Sequence, residues 1–249
     1  MDRPNLVLVN LDDARFDALD RMPTLRDRIR SHAVIFRNGF APTAVCNPSR
    51  ASLLTGLSAF RHRIRSQTGP MGSAEVFRER GLDHRTIAVW LQTAGYSTGL
   101  FGKYLNGYWE KTEAGLGPGG AFYVPPGWDR WQALVVASKY GGRDGESYQV
   151  VDETGRLTRF EDHTTDDEYH TDQSGAALRA FVRSSIARGR PFFAYWAPNA
   201  PHTGPSDLPV PARRHRDIFA DLPPWRPLSW NEPDVSDKPR WVQLIEASA

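Results

Sequence analysis

The sequence predicts a layered α/β fold, and three observations carry that prediction. Short apolar runs alternate with amphipathic helical patterns, the order that places helices over a mainly parallel sheet. The runs NLVLVNL (5–11) and PFFAYW (191–196) are apolar at almost every position, as strands covered on both faces are. Polar groups sit just past the ends of three apolar runs, Asp12-Asp13, Lys103 and His202. Open α/β sheets form their sites outside the carboxyl ends of strands, so these three groups are expected to meet on one sheet edge.

In chain order, Asn5 to Leu11 reads as a buried strand between Pro4 and the Asp12-Asp13 pair. Pro23 to His32 reads as an amphipathic helix, with Leu25 and Ile29 at helical spacing and arginines opposite. Val34 to Phe36 reads as a short strand. Pro48 to Leu54 begins a helix that Gly56 closes. Thr86 to Ala94 is a helix ending at Gly95, and Ser97 to Phe101 is the strand that leads into Gly102-Lys103. From Trp109 to Gly145 the chain is rich in Gly, Pro and aromatic residues and reads as loops. Tyr148 to Phe160 reads as a hairpin turning at Glu153-Thr154-Gly155. Thr171 to Ala187 is a long helix and Pro191 to Trp196 the final strand. From Pro205 onward the chain is Pro- and Trp-rich without periodicity.

A length of 249 residues accommodates one large α/β domain or two small ones. The 31 Lys and Arg nearly balance 29 Asp and Glu, which argues against nucleic acid or a membrane as partner. No apolar run approaches a bilayer's thickness and no signal-peptide pattern opens the chain. As written it is expected in the cytoplasm, or outside the cell if a leader has been removed. One cysteine excludes an internal disulfide.

That cysteine, Cys46, sits just before a helix start, where free backbone N–H groups and the helix dipole favour an anion. Arg50, one turn on, can reach back and hold an oxyanion in a bidentate fork. A small residue at a tight junction is the plainer reading of Cys46. Asp12 and Asp13 suit a hard divalent cation. Neighbouring strand residues point to opposite sides, so the backbone must turn there for both to serve one ion; a helix cap is the plainer reading. Arg61-His62-Arg63-Ile64-Arg65 is either a local anion contact or a solvated loop.

The run CNPSRASLLTG (46–56) resembles the sulfatase signature Cys-x-Pro-Ser-Arg-x-x-x-Leu-Thr-Gly at every defined position. LVNLDD resembles that family's opening strand and metal-binding aspartates, Gly102-Lys103-Tyr104 its Gly-Lys-aromatic motif, and Ala200-Pro201-His202 its Ala-Pro-His segment. GKYLNGY is similar to the glucosamine-6-sulfatase branch. The resemblance implies an alkaline-phosphatase-like α/β/α sandwich with a mixed, largely parallel sheet. It also implies oxidation of Cys46 to formylglycine by a separate formylglycine-generating enzyme. The hydrated aldehyde then attacks the sulfur of a sulfate ester, and its second hydroxyl expels the sulfate. Asp12, Asp13 and residue 46 would hold Ca²⁺ or Mg²⁺. Arg50 would stabilise the hydrated aldehyde, and Lys103 and His202 would contact sulfate oxygens, His202 also assisting proton transfer. His62 is a further candidate, with a surface histidine as the alternative. Leu105 stands where many members have a histidine.

The resemblance covers the N-terminal part of a sulfatase catalytic domain, with residues 1–249 read as one domain, truncated at its C-terminus. No later strand followed by Asp-Asn is found between Pro205 and Ala249, and Asn231, Asp234 and Asp237 are poor substitutes. The expected substrate is a sulfated small molecule or glycan, with the aromatic-rich stretch from Tyr104 to Trp131 shaping its pocket. Two other readings stay open: a phosphonate or phosphoester hydrolase of the same superfamily, and a non-catalytic remnant that binds sulfated glycan.

Overall fold

The structure, a computed structural model, describes residues 3–36, 38–108, 121–135, 148–160, 168–203, 208–223, 226 and 230–245. The chain forms two compact units, Met1–Arg213 and Arg214–Ala249. The first holds a six-stranded sheet: β1 (Leu6–Val9), β2 (Ser97–Lys103), β3 (Arg130–Val135), β4 (Tyr148–Asp152), β5 (Leu157–Phe160) and β6 (Phe192–Ala197). The spatial order is β1-β6-β2-β3-β4-β5. The pairs β1–β6, β6–β2 and β2–β3 are parallel, and β3–β4 and β4–β5 are antiparallel. The sheet is therefore mixed and largely parallel.

The strand pleat sorts the core. In β6, Phe193, Tyr195 and Ala197 face one cluster, while Phe192 and Ala194 face another. The larger cluster takes in α1 (Cys46–Thr55) through Ala51 and Leu54, and α3 (Ser73–Glu79) through Phe77. It also takes in α4 (Ile87–Thr93) through Ala88. The smaller one packs Phe101, Phe192 and Ala194 against Phe181 of α5 (His170–Ala187). Helices thus cover both faces, which is why β2 is buried throughout and β6 almost throughout. Each fully buried Leu or Phe there contributes about 1.5–3 kcal/mol.

Gly102 is required by the approach of two strand ends. Its φ is +111°, and a Cβ would stand 2.1 Å from the carbonyl oxygen of Ala197. Gly102→Ala is expected to cost about 3 kcal/mol or more, from backbone strain together with overlap against an atom that cannot yield. A urea denaturation midpoint within error of the parent protein's would contradict this.

Several sequence expectations hold and others need correction. The α1 helix ends at Gly56, φ +69°, whose N–H bonds Ser52 O. The Thr86 hydroxyl caps α4, and the hairpin turns at Gly155. Arg130–Val135, read as loop, is a strand: RWQALV is largely buried, but Gly, Pro and aromatic neighbours masked its pattern. Residues 23–32 do not form a regular helix. Leu25–Ile29 winds wide and Arg30–His32 winds tight, with no buried residue in either segment. Ile29 has no apolar surface to cover it, and packing is what makes short helices regular. Val34 to Phe36 is no strand; these residues are half to mostly exposed. Within the stretch from Tyr104 to Trp131, Tyr104, Tyr108, Phe122, Trp128 and Trp131 pack edge-on and tilted inside the core, Tyr123 lines a cleft with Arg78, Asp83 and His84, and residues 109–120 lie outside the described residues. The GLGPGG stretch lies outside the described residues.

His170, at the start of α5, is buried edge-on to Tyr148, and neither ring nitrogen has a hydrogen-bond partner among the described residues. Burial pushes its pKa down to about 4. The unfolded chain, with an ordinary value near 6.5, therefore takes up the proton first as pH falls. Stability is full above about pH 6.5 and drops by about 3 kcal/mol by pH 4. Denaturation midpoints at these two pH values are expected to show this loss, and His170→Phe to remove most of it.

Among the described residues no helix is long and apolar enough to cross a membrane. In the second unit, α6 (Arg240–Gln243) is held by Gln243 Nε2 donating to Ser236 O and Lys238 O. Asp237 pairs with Lys238, and Asp234 accepts the Ser236 N–H.

Candidate active site

Parallel pairing puts the carboxyl ends of β1, β2 and β6 on one edge. Past β1 comes Asp12, at the end of β2 stands Lys103, and beyond β6 the chain reaches His202. The α1 helix points its N-terminus here, with extended Val45 (φ −139°, ψ 132°) as cap and Cys46 as first residue. Pro48 has no N–H to leave unpaired in that first turn.

Asp12 is the electrostatic centre. Arg50 Nη2 donates to its Oδ1 at 2.9 Å, and Lys103 Nζ donates to its Oδ2. All three side chains are at most 6% exposed. Burial raises the Asp12 carboxyl, but the Arg50 and Lys103 charges outweigh it and hold the pKa below the usual range.

Arg50 differs from expectation. Its fork is engaged within the protein: Nη1 donates to Lys103 O at 2.7 Å and to the Tyr195 hydroxyl at 3.2 Å, and Nη2 donates to the Asp12 carboxylate. One planar guanidinium thereby ties α1 to the ends of β2 and β6 and to the turn after β1. Three of its five N–H donors, held in one fixed plane, make these bonds. Its Nε is buried without a hydrogen-bond partner among the described residues.

Cys46 and His202 face each other. The hydrogen bond between Cys46 and His202 lowers the Cys46 pKa, burial opposes it, and the Lys103 charge assists. The same bond raises the His202 pKa against its own burial. His202 Nδ1 lies 2.9 Å from Thr203 O, and a carbonyl only accepts, so the proton sits on Nδ1 and Nε2 faces the site. Asp13 Oδ2 is 3.5 Å from that Nε2.

The turn that two adjacent carboxylates require is present. Asp13 has φ +60°, a left-handed conformation that aspartate tolerates better than most residues. Asp12, Cys46 and His202 each place one ligand atom within 4.8 Å of the others, and Asp13 Oδ2 lies 3.5 Å from His202 Nε2. Both carboxylates therefore flank the same side chain. Their oxygen chemistry fits a hard divalent cation.

The structure thus brings together Asp12, Asp13, Cys46, Arg50, Lys103 and His202. It does not bring His62. That side chain is buried, neither a surface group nor part of this cluster: Nδ1 accepts the Ile64 N–H and Nε2 meets Ser52 Oγ at 3.0 Å. It ties the loop after α2 (Ala59–His62) to α1. Arg61, Arg63 and Arg65 are exposed. Leu105 is core.

Three site groups escaped the sequence reading. Tyr195 carries the hydroxyl that meets Arg50 and Asn10 Nδ2. Its place between apolar residues of a buried strand was the available signal, since a buried tyrosine needs a partner. Asn10 shares that hydroxyl. Gln67 accepts the Asn47 N–H at 3.0 Å and lies against Cys46, while Asn47 Nδ2 reaches Ser66 O. No local pattern marks Gln67.

The family model described as Sulfatase matches residues 4–223. The chain belongs to the sulfatase family. It is 28% identical to an arylsulfatase of Volvox carteri, over 98% of this chain and 38% of that protein. It is 29% identical to the N-acetylglucosamine-6-sulfatase of Capra hircus, over 88% of this chain and 37% of that protein. This sulfatase chain therefore spans less than two fifths of the length of these curated relatives. Among solved structures, BT4656 in complex with its substrate D-glucosamine-2-N,6-O-disulfate superposes with TM-score 0.62 at 22% identity. That match covers 91% of this chain and 39% of the other. The phosphonate monoester hydrolase of Silicibacter pomeroyi gives 0.61 at 21% identity, over 94% and 48%. These likenesses establish the shared fold.

Proposed function

We propose that the chain carries the nucleophile-bearing part of a sulfuric ester hydrolase, with residue 46 as its reacting centre. The observation that carries this reading is the meeting of Cys46, at the N-terminus of α1, with Lys103, His202 and Asp12. A tetrahedral sulfate ester end, with one negative charge spread over its outer oxygens, fits that arrangement. The helix N-terminus and the Lys103 ammonium would neutralise its peripheral oxygens. His202, with Nδ1 fixed by Thr203 O, would exchange a proton through Nε2 at the ester oxygen that leaves. Arg50 would act through others, holding Asp12 and the Lys103 carbonyl in register.

Asp12 and Asp13, with residue 46, would hold Ca²⁺ or Mg²⁺. When present, a formylglycine made from Cys46 by its generating enzyme supplies the attacking oxygen, and the cation supplies Lewis-acid stabilisation. The substrate class we favour is a sulfated glycan bearing 6-sulfated glucosamine. Support comes from the glucosamine named for two of the similar proteins.

The phosphonate hydrolase likeness favours a second reading, phosphonate or phosphate ester hydrolysis at the same site. The two separate in one experiment. Protein produced with a formylglycine-generating enzyme is assayed with Ca²⁺ on paired aryl sulfate and aryl phosphonate esters. A larger kcat/KM on the sulfate is expected. Preference for the phosphonate would favour the second reading, and no turnover of either by protein with a converted residue 46 would overturn both.

A further inference from the structure

The donor set around Cys46 changes its chemical class with the state of that residue. While residue 46 is a thiol, the ligand atoms of Asp12, Cys46 and His202 lie within 4.8 Å of one another. They offer one carboxylate oxygen, one sulfur and one imidazole nitrogen. Calcium and magnesium take oxygen; sulfur and imidazole select zinc and its neighbours.

We propose that the unmodified chain binds a thiophilic divalent cation, Zn²⁺ or an ion like it, through Cys46 Sγ, His202 Nε2 and an Asp12 oxygen. Three further observations support the site. His202 is oriented as metal-bound histidines are, its Nδ1–H held by the Thr203 carbonyl while Nε2 stays available beside Asp13. Asp13 Oδ2 lies 3.5 Å from His202 Nε2, so a second carboxylate stands beside the three donors. The charges also favour it. Asp12 and Asp13 are balanced by Arg50 and Lys103, and a Cys46 thiolate adds a negative charge beside which a divalent ion can sit. Tetrahedral zinc needs donors roughly 3.5 Å apart, so side-chain shifts of about 1 Å close the site. Lys103 gives up its Asp12 oxygen to the ion and stays nearby.

The step involves no redox chemistry. The S–H bond breaks, a Zn–S bond forms, and the proton leaves to solvent. The consequence is a switch: the thiol form holds a soft cation, and an aldehyde at position 46 withdraws the sulfur and leaves an oxygen site. Binding of this kind also shields the thiol from alkylation and oxidation.

The inference does not depend on hydrolase activity. Its test uses the unmodified full chain, reduced with a non-thiol reductant and stripped of metal. Co²⁺ serves as the optical probe. One equivalent is expected to produce a near-ultraviolet thiolate-to-cobalt band, which one equivalent of Zn²⁺ abolishes and excess Ca²⁺ leaves unchanged. Cys46→Ser is expected to lose the band and weaken Zn²⁺ binding about 100-fold, and His202→Ala to weaken it about 10-fold or more. Circular dichroism checks that the variants are folded. In the parent chain, Zn²⁺ is expected to slow alkylation of Cys46, read by peptide mass mapping, which keeps the test informative if a variant does not fold. Absence of the cobalt band, unaltered Zn²⁺ affinity in folded Cys46→Ser, or unchanged Cys46 alkylation would each overturn the proposal.

Discussion

Arg50→Met is expected to destabilise the first unit by about 3–5 kcal/mol. Methionine fills much of the volume, so the loss comes from what the guanidinium leaves behind. Asp12 keeps only Lys103 as a charge partner in a buried setting. The Lys103 carbonyl and the Tyr195 hydroxyl each lose their Arg50 donor. A buried group left unsatisfied costs more than its hydrogen bond was worth. Arg50→Lys is expected to fall close to Arg50→Met, because one ammonium cannot span donors on three elements. Urea denaturation of the purified proteins reads both values. A loss below about 1 kcal/mol for Arg50→Met would contradict the view of Arg50 as the tie between α1 and the strand ends.

The largest effect on activity is expected at residue 46. In protein exposed to the maturation enzyme, Cys46→Ala removes the only candidate precursor of the nucleophile. Ester hydrolysis should fall by on the order of a thousandfold or more, while the fold persists because Cys46 is only partly buried. Cys46→Ser is more informative. A serine oxygen can attack but has no second hydroxyl to expel the sulfate, so one equivalent of product and a lasting sulfated serine are expected. Product release and intact-protein mass read these outcomes together. Steady turnover by either variant would show that the reacting group lies elsewhere.

Much of this arrangement could be read from the chain because it is local. Buried parallel strands announce themselves as unbroken apolar runs, and their ends mark the site edge, so Asp12, Lys103 and His202 could be placed before any coordinates. The helix after Cys46 was legible from Pro48 and Gly56 for the same reason. What escaped was set by distant partners. Arg130–Val135 is a strand because β2 and β4 flank it, not because RWQALV differs from its Gly- and Pro-rich surroundings. Residues 23–36 show the converse: an apolar pattern with nothing packed on it forms no regular element. Arg50 lies at this edge, but its bonds to Tyr195 and the Lys103 carbonyl span 145 and 53 residues, and no local pattern shows them. His62 sits in an arginine-rich stretch that looks solvated, yet alternate residues there, His62 and Ile64, turn inward.

The claim on which the rest depends is that Cys46 is the precursor of a formylglycine. Peptide mass mapping across residue 46, on protein produced alongside a formylglycine-generating enzyme, tests it directly. The account predicts a peptide in which the thiol has been replaced by an aldehyde, trapped as a hydrazone by an added hydrazine. An intact thiol at Cys46, under conditions that convert a control sulfatase, would contradict it.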